Sequence, residues 1–497
     1  MKLPKLRVKF PRPNLRGLRV RPGKNKDIKI ATNKEQVSLK DSLKSPEIRK
    51  KLLITIGLVV VYRILAAVPL PGIDTQLFAE AFGNNPLTNF FSIMTGGRLD
   101  NPSVVAIGLG AYINATIVIQ LMTTIVPKLE ELSKEGERGR AVINQYTRYL
   151  AVPLTVVQAF VIYTILRSVT AEVPQLAGLL DNVSNFDILT MVVSLTAGSM
   201  VLMWLGELIT AHGIGNGISI IITISILTVI PNLATRDFFF LSSDLDLLRA
   251  GNLNVLINEN FRLVYLVLIG FYVLIMSIVY INEAVRKLPI QYARRFRTAG
   301  VQSNYLPLKL NQAGVIPVIF ASAMLAFPQI VAQLLVTTAK EGTIFYRFGR
   351  SIDGSFLGST SSVLAGENFL RDNIYYLVTF FVLIIAFAFF YTFVTYKPAD
   401  TADNLKKSAA FIPGLRPGKV TQDYITRVLI RLTVVGSLFL ATIAIIPNLA
   451  RLTEQGANLA LLSGVGGTSL LIVVGVVLDT IRQMKSLTVT RSYEQYK

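Results

Sequence analysis

The side chains of this chain that could do chemistry are few and scattered. His212 is the single histidine and there are no cysteines, so neither a nucleophile, histidine and acid set nor a thiolate metal site can be assembled. The segment 414–419 comes nearest to a phosphate-binding loop, but its spacing is wrong and no Ser or Thr follows Lys419. We therefore predict a protein that is not an enzyme and that uses no metal and no cofactor.

Charged residues within apolar segments are the second place to look for chemistry. Proton-coupled or sodium-coupled transport places acids or a histidine near the middle of a membrane span. Glu207, Glu283 and Asp479 instead lie near the ends of apolar segments, and Arg63 lies where its long side chain can extend to a membrane surface. A solute transporter is the alternative from another class, and this lack of a central coupling site argues against it.

The composition indicates a membrane protein with many spans. Of 497 residues, 52% are hydrophobic and 16% charged, and the mean hydropathy is +0.52, which is more apolar than a typical soluble domain. Apolar runs of about 20 residues suit helices that cross a bilayer. The sequence predicts ten such spans, at 52–68, 103–126, 147–168, 188–210, 217–231, 261–283, 313–336, 373–396, 424–447 and 468–483.

One segment breaks this pattern. An apolar stretch too short to cross a bilayer begins at Phe90 and stops at Gly96 and Gly97, and a span with the polar residues Thr116 and Gln120 follows. Backbone that is not helical is tolerated at membrane depth only against protein or a water-filled cavity. The break therefore predicts a membrane pathway with a segment lying in it.

Charge and span number predict the topology. The net charge is +20, and basic residues are concentrated before residue 52 and in the loops after spans 2, 6 and 8. By the positive-inside rule, both termini are cytoplasmic. The connection at 232–260 divides the spans into five and five, and an odd number per half predicts halves of opposite orientation with a pathway at their interface.

Three features have an ordinary and a functional interpretation. The basic N-terminal segment is either a disordered arm near anionic lipid or a contact for rRNA phosphates. The loops with Arg294 and with Arg416 carry either charge that sets orientation or a docking surface for an acidic or RNA-bearing partner. The isoleucines that follow Gly217 face lipid or form an apolar constriction.

Motifs along most of the chain resemble those of the SecY family, the central subunit of the protein-conducting translocon. The resemblance covers about 45–496. It is carried by the segments 69–74, 145–148, 203–207, 213–219, 306–311, 313–317, 401–407, 413–418 and 466–472. The bacterial or plastid branch fits best, and the lack of a transit sequence favours a bacterial inner membrane.

The resemblance implies an hourglass pore between two inverted five-helix halves, through which unfolded proteins cross or leave sideways into lipid. The implied pore ring is Leu109, Ile113, Ile218, Ile222, Ile319 and Ile472. The implied plug, 90–100, includes Phe90, Phe91, Ile93, Met94, Gly96 and Gly97. The implied lateral gate carries Thr116, Gln120 and Asn311. An insertase that needs no pore would have a polar groove in place of this ring.

The resemblance also implies the partners. The loop of Arg294, Arg295 and Arg297 and the loop of Arg416 match the family's docking surfaces for the ribosome and the SecA motor. SecE and SecG are the implied subunits, and nascent polypeptide and membrane lipid are the other contacts. The expected organisation is a basic extension at 1–50, a first half at 51–235, an extracytoplasmic connection at 236–260, a second half at 261–484 and a cytoplasmic tail at 485–497.

Overall fold

The computed structural model describes residues 45–71, 103–172, 184–240, 259–292, 305–338, 343–344, 346–347, 369–450 and 467–494. Most of them are helical. The helices before residue 241 are α1 (Pro46–Ala67), α2 (Gly110–Ile125), α3 (Pro127–Lys134), α4 (Glu137–Glu172), α5 (Asn185–His212) and α6 (Gly217–Phe240). Those after residue 258 are α7 (Glu259–Glu283), α8 (Ile316–Thr338), α9 (Phe369–Thr395), α10 (Pro398–Lys407), α11 (Lys419–Ala450) and α12 (Gly467–Glu494).

Four short strands lie together at one end of the helix bundle, which we call the strand end. They are β1 (Val285–Pro289), β2 (Gln291–Tyr292), β3 (Tyr305–Lys309) and β4 (Ala410–Phe411). β1 pairs antiparallel with β3, and β2 pairs antiparallel with β4. Helices α7 and α9 end here and helices α8 and α11 begin here, so the strands join the connections between them.

Every predicted span falls on a helix. By length and composition, four helices of the described chain can cross a membrane: Asn185–His212, Val264–Glu283, Leu377–Lys407 and Lys419–Ile446. A fifth candidate is the pair of α2 and α3, which pass the test together but meet at an angle of 100°. The described chain is thus helical with several membrane-spanning segments.

The predicted second span is shorter than expected. Residues 103–109 form turns, with Gly108 at a φ of 63°, and the helix begins only at Gly110. The prediction of one continuous helix over 103–126 is therefore wrong, because hydropathy alone cannot distinguish an apolar turn that packs on protein from an apolar helix.

Other helices extend past the predicted limits. Helix α4 begins at Glu137, α6 continues to Phe240 inside the predicted connection, and α12 continues to Glu494 inside the predicted tail. Hydropathy marks only the apolar part of a helix, whereas the backbone hydrogen bonds continue into polar sequence. Helix α6 also contains Pro231, which the prediction took as an end, although membrane helices tolerate proline when neighbours satisfy the freed groups.

The described residues before 241, which we call the first half, and those after 258, which we call the second half, each contain an apolar cluster. In the first half Tyr62, Leu109, Leu202 and Ile221 belong to one buried cluster. In the second half Val318, Phe380, Leu440 and Leu471 belong to another. Val229 and Ile230 of α6 also pack against the second cluster, so that cluster extends to a helix of the first half.

Two seams join the halves. At the front seam, α8 packs against α2 and α4. At the back seam, α12 packs against α6. The space between the halves is bordered by these two seams.

Candidate functional site

Four of the predicted ring residues lie together in the first half. Leu109 precedes α2 and is buried, and Ile113 on α2 packs in the same cluster as Ile218 and Ile222 on α6. On α6 the two isoleucines are four residues apart, which places them on one helix face. The first half thus presents a compact patch of branched apolar side chains.

The start of α2 is held at a defined level by α5. The Ser199 hydroxyl donates a hydrogen bond of 2.9 Å to the carbonyl oxygen of Gly108, directly before Leu109. At Gly198 a Cβ atom would collide with the carbonyl of Val104, so the turn at 103–109 packs directly on the helix backbone. This contact fixes the position of Leu109.

The second-half ring residues lie at matching levels on two helices. Val315, just before α8, contacts Gly475 of α12 closely enough that a Cβ there would approach its Cγ1 to 2.5 Å. From this contact α8 runs away from the strand end and α12 runs toward it. Ile319 and Ile472 are therefore each about one turn further from the strand end. Ile319 packs against the second-half core and Ile472 is half-buried.

A polar contact crosses the front seam. The Tyr391 side chain on α9, a helix that packs on α8, lies near the Gln120 side chain on α2 and near Thr395. Thr116 donates within its own helix, to the carbonyl oxygen of Tyr112 at 2.8 Å. Of the predicted gate residues, Gln120 is therefore the one with a described polar side-chain neighbour across the seam.

Asn311 lies at the foot of α8, where we use foot for the connection at 310–314 that leads into this helix. Its amide nitrogen donates to Asn282 Oδ1 at 3.1 Å and to the carbonyl oxygen of Gly314 at 3.0 Å. Both bonds stay within the second half. The residue is buried, so it anchors a helix of the front seam at its strand end.

The two helices joined by Gln120 and Tyr391 end in the same way. Each is followed by an extended residue and a proline, Val126 before Pro127 and Lys397 before Pro398, and then by a short polar helix. Gln120 and Tyr391 each precede that proline by two helical turns. The polar contact and the bend are thus matched on both sides of the seam.

Charges continue the front seam beyond these prolines. Lys134 Nζ lies 2.8 Å from Glu130 Oε1 on α3. This hydrogen-bonded ammonium group lowers the pKa of Glu130, and Lys397 on the opposite side lowers it further. The same pair raises the pKa of Lys134, to which Asp400 of α10 also contributes. Opposite charges therefore face each other across the seam on two exposed helices.

The back seam is apolar and closely packed. Gly215 has a φ of 87°, which favours glycine. A Cβ there would lie 2.9 Å from Ile220 Cδ1 and 3.1 Å from Thr480 Oγ1 of α12. Ile48, Ile214 and Met484 form a buried cluster beside it. This seam joins α1, the turn after α5 and α12, and a methyl group added at Gly215 would require the Ile220 side chain to move.

Two ion pairs were missed by the sequence analysis. Arg148 Nε on α4 lies 2.8 Å from Glu207 Oε1 on α5. Arg482 on α12 lies 3.4 Å from Glu283 Oε1 at the end of α7. The sequence does contain a signal for such pairs. An acid near the end of one span can pair with a basic residue that lies at the same depth on a neighbouring span.

The strands that flank the two predicted docking loops meet in one small unit at the strand end. Strand β2 precedes the predicted arginine cluster and pairs with β4, which precedes Arg416. Leu288 and Leu308 of the β1–β3 hairpin pack with Ile412 and Ile425 in a common apolar cluster. The described strands at the base of both loops, together with the Arg416 turn, therefore form one platform, which we call the docking platform.

Arg416 lies in an exposed turn between β4 and α11. Gly414 and Gly418 have φ values of 81° and 108°, and the Leu415 N–H donates to the carbonyl oxygen of Ile412 at 3.0 Å. The buried Thr421 hydroxyl donates to the carbonyl oxygen of Arg416 at 2.8 Å. The backbone is thus fixed while the guanidinium side chain is exposed.

Some predicted sites fall outside the described residues. They are the plug residues Phe90, Phe91, Ile93, Met94, Gly96 and Gly97, and the arginines Arg294, Arg295 and Arg297. Within the part of the chain that the structure describes, no group of acids and histidine is arranged to hold a metal ion.

Comparison with known proteins identifies relatives over nearly the whole chain. The family model named SecY matches residues 103–481. The protein translocase subunit SecY of Streptomyces scabiei is 40% identical over 467 residues, covering 92% of this chain and 98% of the relative. The same subunit of Mycobacterium tuberculosis H37Rv is 36% identical over 468 residues, again covering 92% and 98%.

Solved structures share the fold. A protein-conducting channel superposes with a TM-score of 0.56 at 20% identity and covers 88% of this chain and 92% of that one. Sec61 in a canine ribosome–channel complex from the endoplasmic reticulum gives a TM-score of 0.55 at 19% identity, with the same coverage. At these identities the likeness concerns the fold alone.

Proposed function

The chain belongs to the SecY family of protein translocase subunits, and we propose that its ten apolar helices form a protein-conducting channel in two inverted halves. It passes unfolded proteins across the membrane and releases transmembrane segments sideways into lipid. In this proposal the channel lies in a bacterial inner membrane with the strand end and both termini in the cytoplasm, which the basic loops support through the positive-inside rule. No step of this function requires catalysis by the chain itself.

One observation carries the channel proposal. The six apolar ring residues lie on or beside α2, α6, α8 and α12, which are helices that join the halves at the two seams. A ring there closes by apolar contact and excludes water and ions, yet it makes no specific bond to a passing chain. Separation of the halves at either seam would widen it.

The segment 90–100 is proposed as the plug beneath this ring. Its support is its position in the sequence, directly before the turn that α5 holds against Gly198. Deletion of the segment should raise ion conductance before it reduces protein transport, because the ring alone then makes the seal. An unchanged ion conductance would show that the segment 90–100 does not seal the channel.

The front seam is proposed as the lateral gate. Polar contacts between membrane helices contribute about 0.6 kcal/mol each, and Gln120 with Tyr391 is one such contact. Burial of a signal sequence contributes about 0.8 kcal/mol per CH₂ group. A few additional methylene groups would therefore outweigh the contacts that hold this seam closed, with Thr116 and Asn311 as the further predicted gate positions.

The docking platform is proposed to bind the ribosome and the SecA motor, with SecE and SecG as accompanying subunits. Arg416 is held on a fixed backbone with its side chain exposed, and a planar guanidinium suits bidentate recognition of carboxylates and phosphates. The predicted arginines at 294, 295 and 297 follow β2, the strand paired beside it. Two separate loops would thus contribute to one basic surface.

Reconstitution tests the proposal. The full chain is placed in liposomes with a SecE partner, and a preprotein should cross only when SecA and ATP are added. Arg416→Glu should abolish this transport and leave the ion seal intact, whereas Arg416→Lys should retain part of it. Transport without the motor, or normal transport by Arg416→Glu, would contradict the assigned roles.

A further inference from the structure

Arg482 on α12 holds a cluster of polar groups at the strand end, apart from the ring. Its Nη2 atom donates to the carbonyl oxygen of Asn282 at 2.7 Å and lies 3.4 Å from Glu283 Oε1. Its Nη1 atom donates to Asp479 Oδ1 at 3.1 Å. One planar side chain thus joins the last residues of α7 to α12.

The same end of α7 holds the foot of α8. The buried side chain of Asn282 accepts a hydrogen bond from the buried Asn311 amide. Beside it the Leu310 N–H donates to the carbonyl oxygen of Ala284 at 2.9 Å. The Asn311 amide nitrogen is used twice, here and on Gly314. The position of α8 is therefore set by the position of α7.

Helix α12 is in turn fixed to the first half. Thr480, two residues before Arg482, lies beside Gly215 in the turn after α5. Met484, two residues after it, is buried with Ile48 and Ile214. A continuous series of contacts therefore leads from the back seam through Arg482 and Asn282 to the foot of α8.

We propose that Arg482 is a positioning residue for the front seam: through Asn282 and Asn311 it fixes the foot of α8, about which this helix moves against α2 and α4. The proposal rests on the proposed function, in which the front seam opens during transport. The hydrogen-bond partners of the Arg482 side chain, Asn282, Glu283 and Asp479, include no predicted ring residue. Arg482 acts by keeping one end of a moving helix in place.

The alternative role for Arg482 is as one more positive charge that orients the chain. A lysine would serve that role equally, since the positive-inside rule counts charge alone. A lysine ammonium lacks the planar fork that reaches the Asn282 carbonyl and two carboxylates together. Replacement by lysine therefore separates the two roles.

The distance across the front seam gives a direct measurement. Because the natural chain has no cysteine, spin labels can be placed on cysteines at Val118 of α2 and Met324 of α8, which are both exposed. The full-length chain in lipid nanodiscs is compared with Arg482→Met, Arg482→Lys and Lys485→Met. The last variant removes the same charge from an exposed position on α12.

Arg482→Met should broaden the distance distribution toward longer values, Arg482→Lys should do so to a smaller extent, and Lys485→Met should match the natural chain. In transport assays, the ratio of rates for strongly and weakly hydrophobic signal sequences should fall about tenfold in Arg482→Met, equivalent to about 1.4 kcal/mol. If Arg482→Met does not fold, the distance distribution of Arg482→Lys tests the proposal.

An unchanged distribution in both Arg482 variants, or the same change in Lys485→Met, would overturn the proposal. Failure of the proposed function has a different signature. In that case the natural chain transports no preprotein under any condition, while the distances still report whether Arg482 positions α8.

Discussion

The two seams between the halves are held by different kinds of contact. The back seam packs Gly215 in close contact with Ile220 and Thr480, beside the apolar cluster of Ile48, Ile214 and Met484. The front seam instead carries a polar contact between Gln120 and Tyr391 and, beyond the two prolines, opposite charges on exposed helices.

This difference indicates which seam opens. Close apolar packing loses many contacts at once when it separates, because dispersion forces fall off steeply with distance. A few polar contacts at the edge of a membrane can exchange partners with water or with an entering segment. The back seam is therefore suited to hold the halves together, and the front seam is suited to part and close again.

The largest expected effect comes from adding a methyl group to the back seam. Gly215→Ala should reduce the free energy of unfolding by about 3 kcal/mol, from a left-handed backbone and overpacking against Ile220 and Thr480. Gly136→Ala is the matched control, because Gly136 has a φ of 77° but no atom within 4 Å of the added Cβ. Thermal unfolding in detergent measures both.

If Gly136→Ala lowers the midpoint as much as Gly215→Ala, backbone strain explains the whole effect. Close packing would then not distinguish the back seam.

The next effect concerns the foot of α8. Asn311→Leu leaves the buried Asn282 Oδ1 without its donor, at a cost of about 2 kcal/mol. It should shift the hydrophobicity that a signal sequence needs for transport, measured with a graded series of signals. Gln312→Leu is the neighbouring control, because the buried Gln312 Oε1 has no hydrogen-bond partner among the described residues. An unchanged threshold in Asn311→Leu would remove this residue from the gate.

A smaller effect is expected from the polar contact across the front seam. A double-mutant cycle of Gln120→Leu and Tyr391→Phe should give a coupling of about 0.6 kcal/mol in the equilibrium between closed and open seam. The distance between labels on α2 and α8 measures that equilibrium. Additive effects of the two substitutions would show that the contact contributes nothing to closure.

The smallest effect is electrostatic. Raising the salt concentration from 0.05 to 1 M shortens the screening length to about 3 Å, so the front-seam distance should lengthen slightly while the back seam stays unchanged.

Lowering the pH should also lengthen the front-seam distance. The pKa of Glu130 is lowered in the folded chain chiefly by Lys134 on its own helix and to a smaller extent by Lys397 across the seam. The attraction of Glu130 to Lys397 is therefore present above the ordinary carboxyl pKa and is lost as the pH falls through the lowered value. Equal changes in the distances across both seams would contradict the proposed difference between them.

The sequence predicts the positions of the helices but not how they meet. Each of the ten apolar runs falls on a helix of the described chain, because bilayer thickness sets the length of an apolar run that can span it. The turn at 103–109 was read as helix because its residues are equally apolar; its structure depends on the Ser199 hydrogen bond to Gly108, which comes from a distant part of the chain. Helix ends in polar sequence, such as Glu137 and Glu494, likewise carry no hydropathy signal.

The same limit applies to the site. The resemblance to the family indicates Gln120 but not Tyr391, which lies in an aromatic run. A usable signal was present, since both residues precede a proline that ends a span by seven positions. Arg482 and Asn282 are 200 residues apart in sequence, and nothing local indicates that they meet.

Covalent locking of each seam tests the central claim most directly. In the chain without native cysteines, a short bis-maleimide joins cysteines at Gln120 and Tyr391 in the front seam, or at Ile220 and Thr480 in the back seam. Motor-driven transport of a preprotein is then measured before and after cleavage of the linker. Locking the front seam should reduce transport to background, and locking the back seam should leave most of it. Normal transport with the front seam locked would contradict the account.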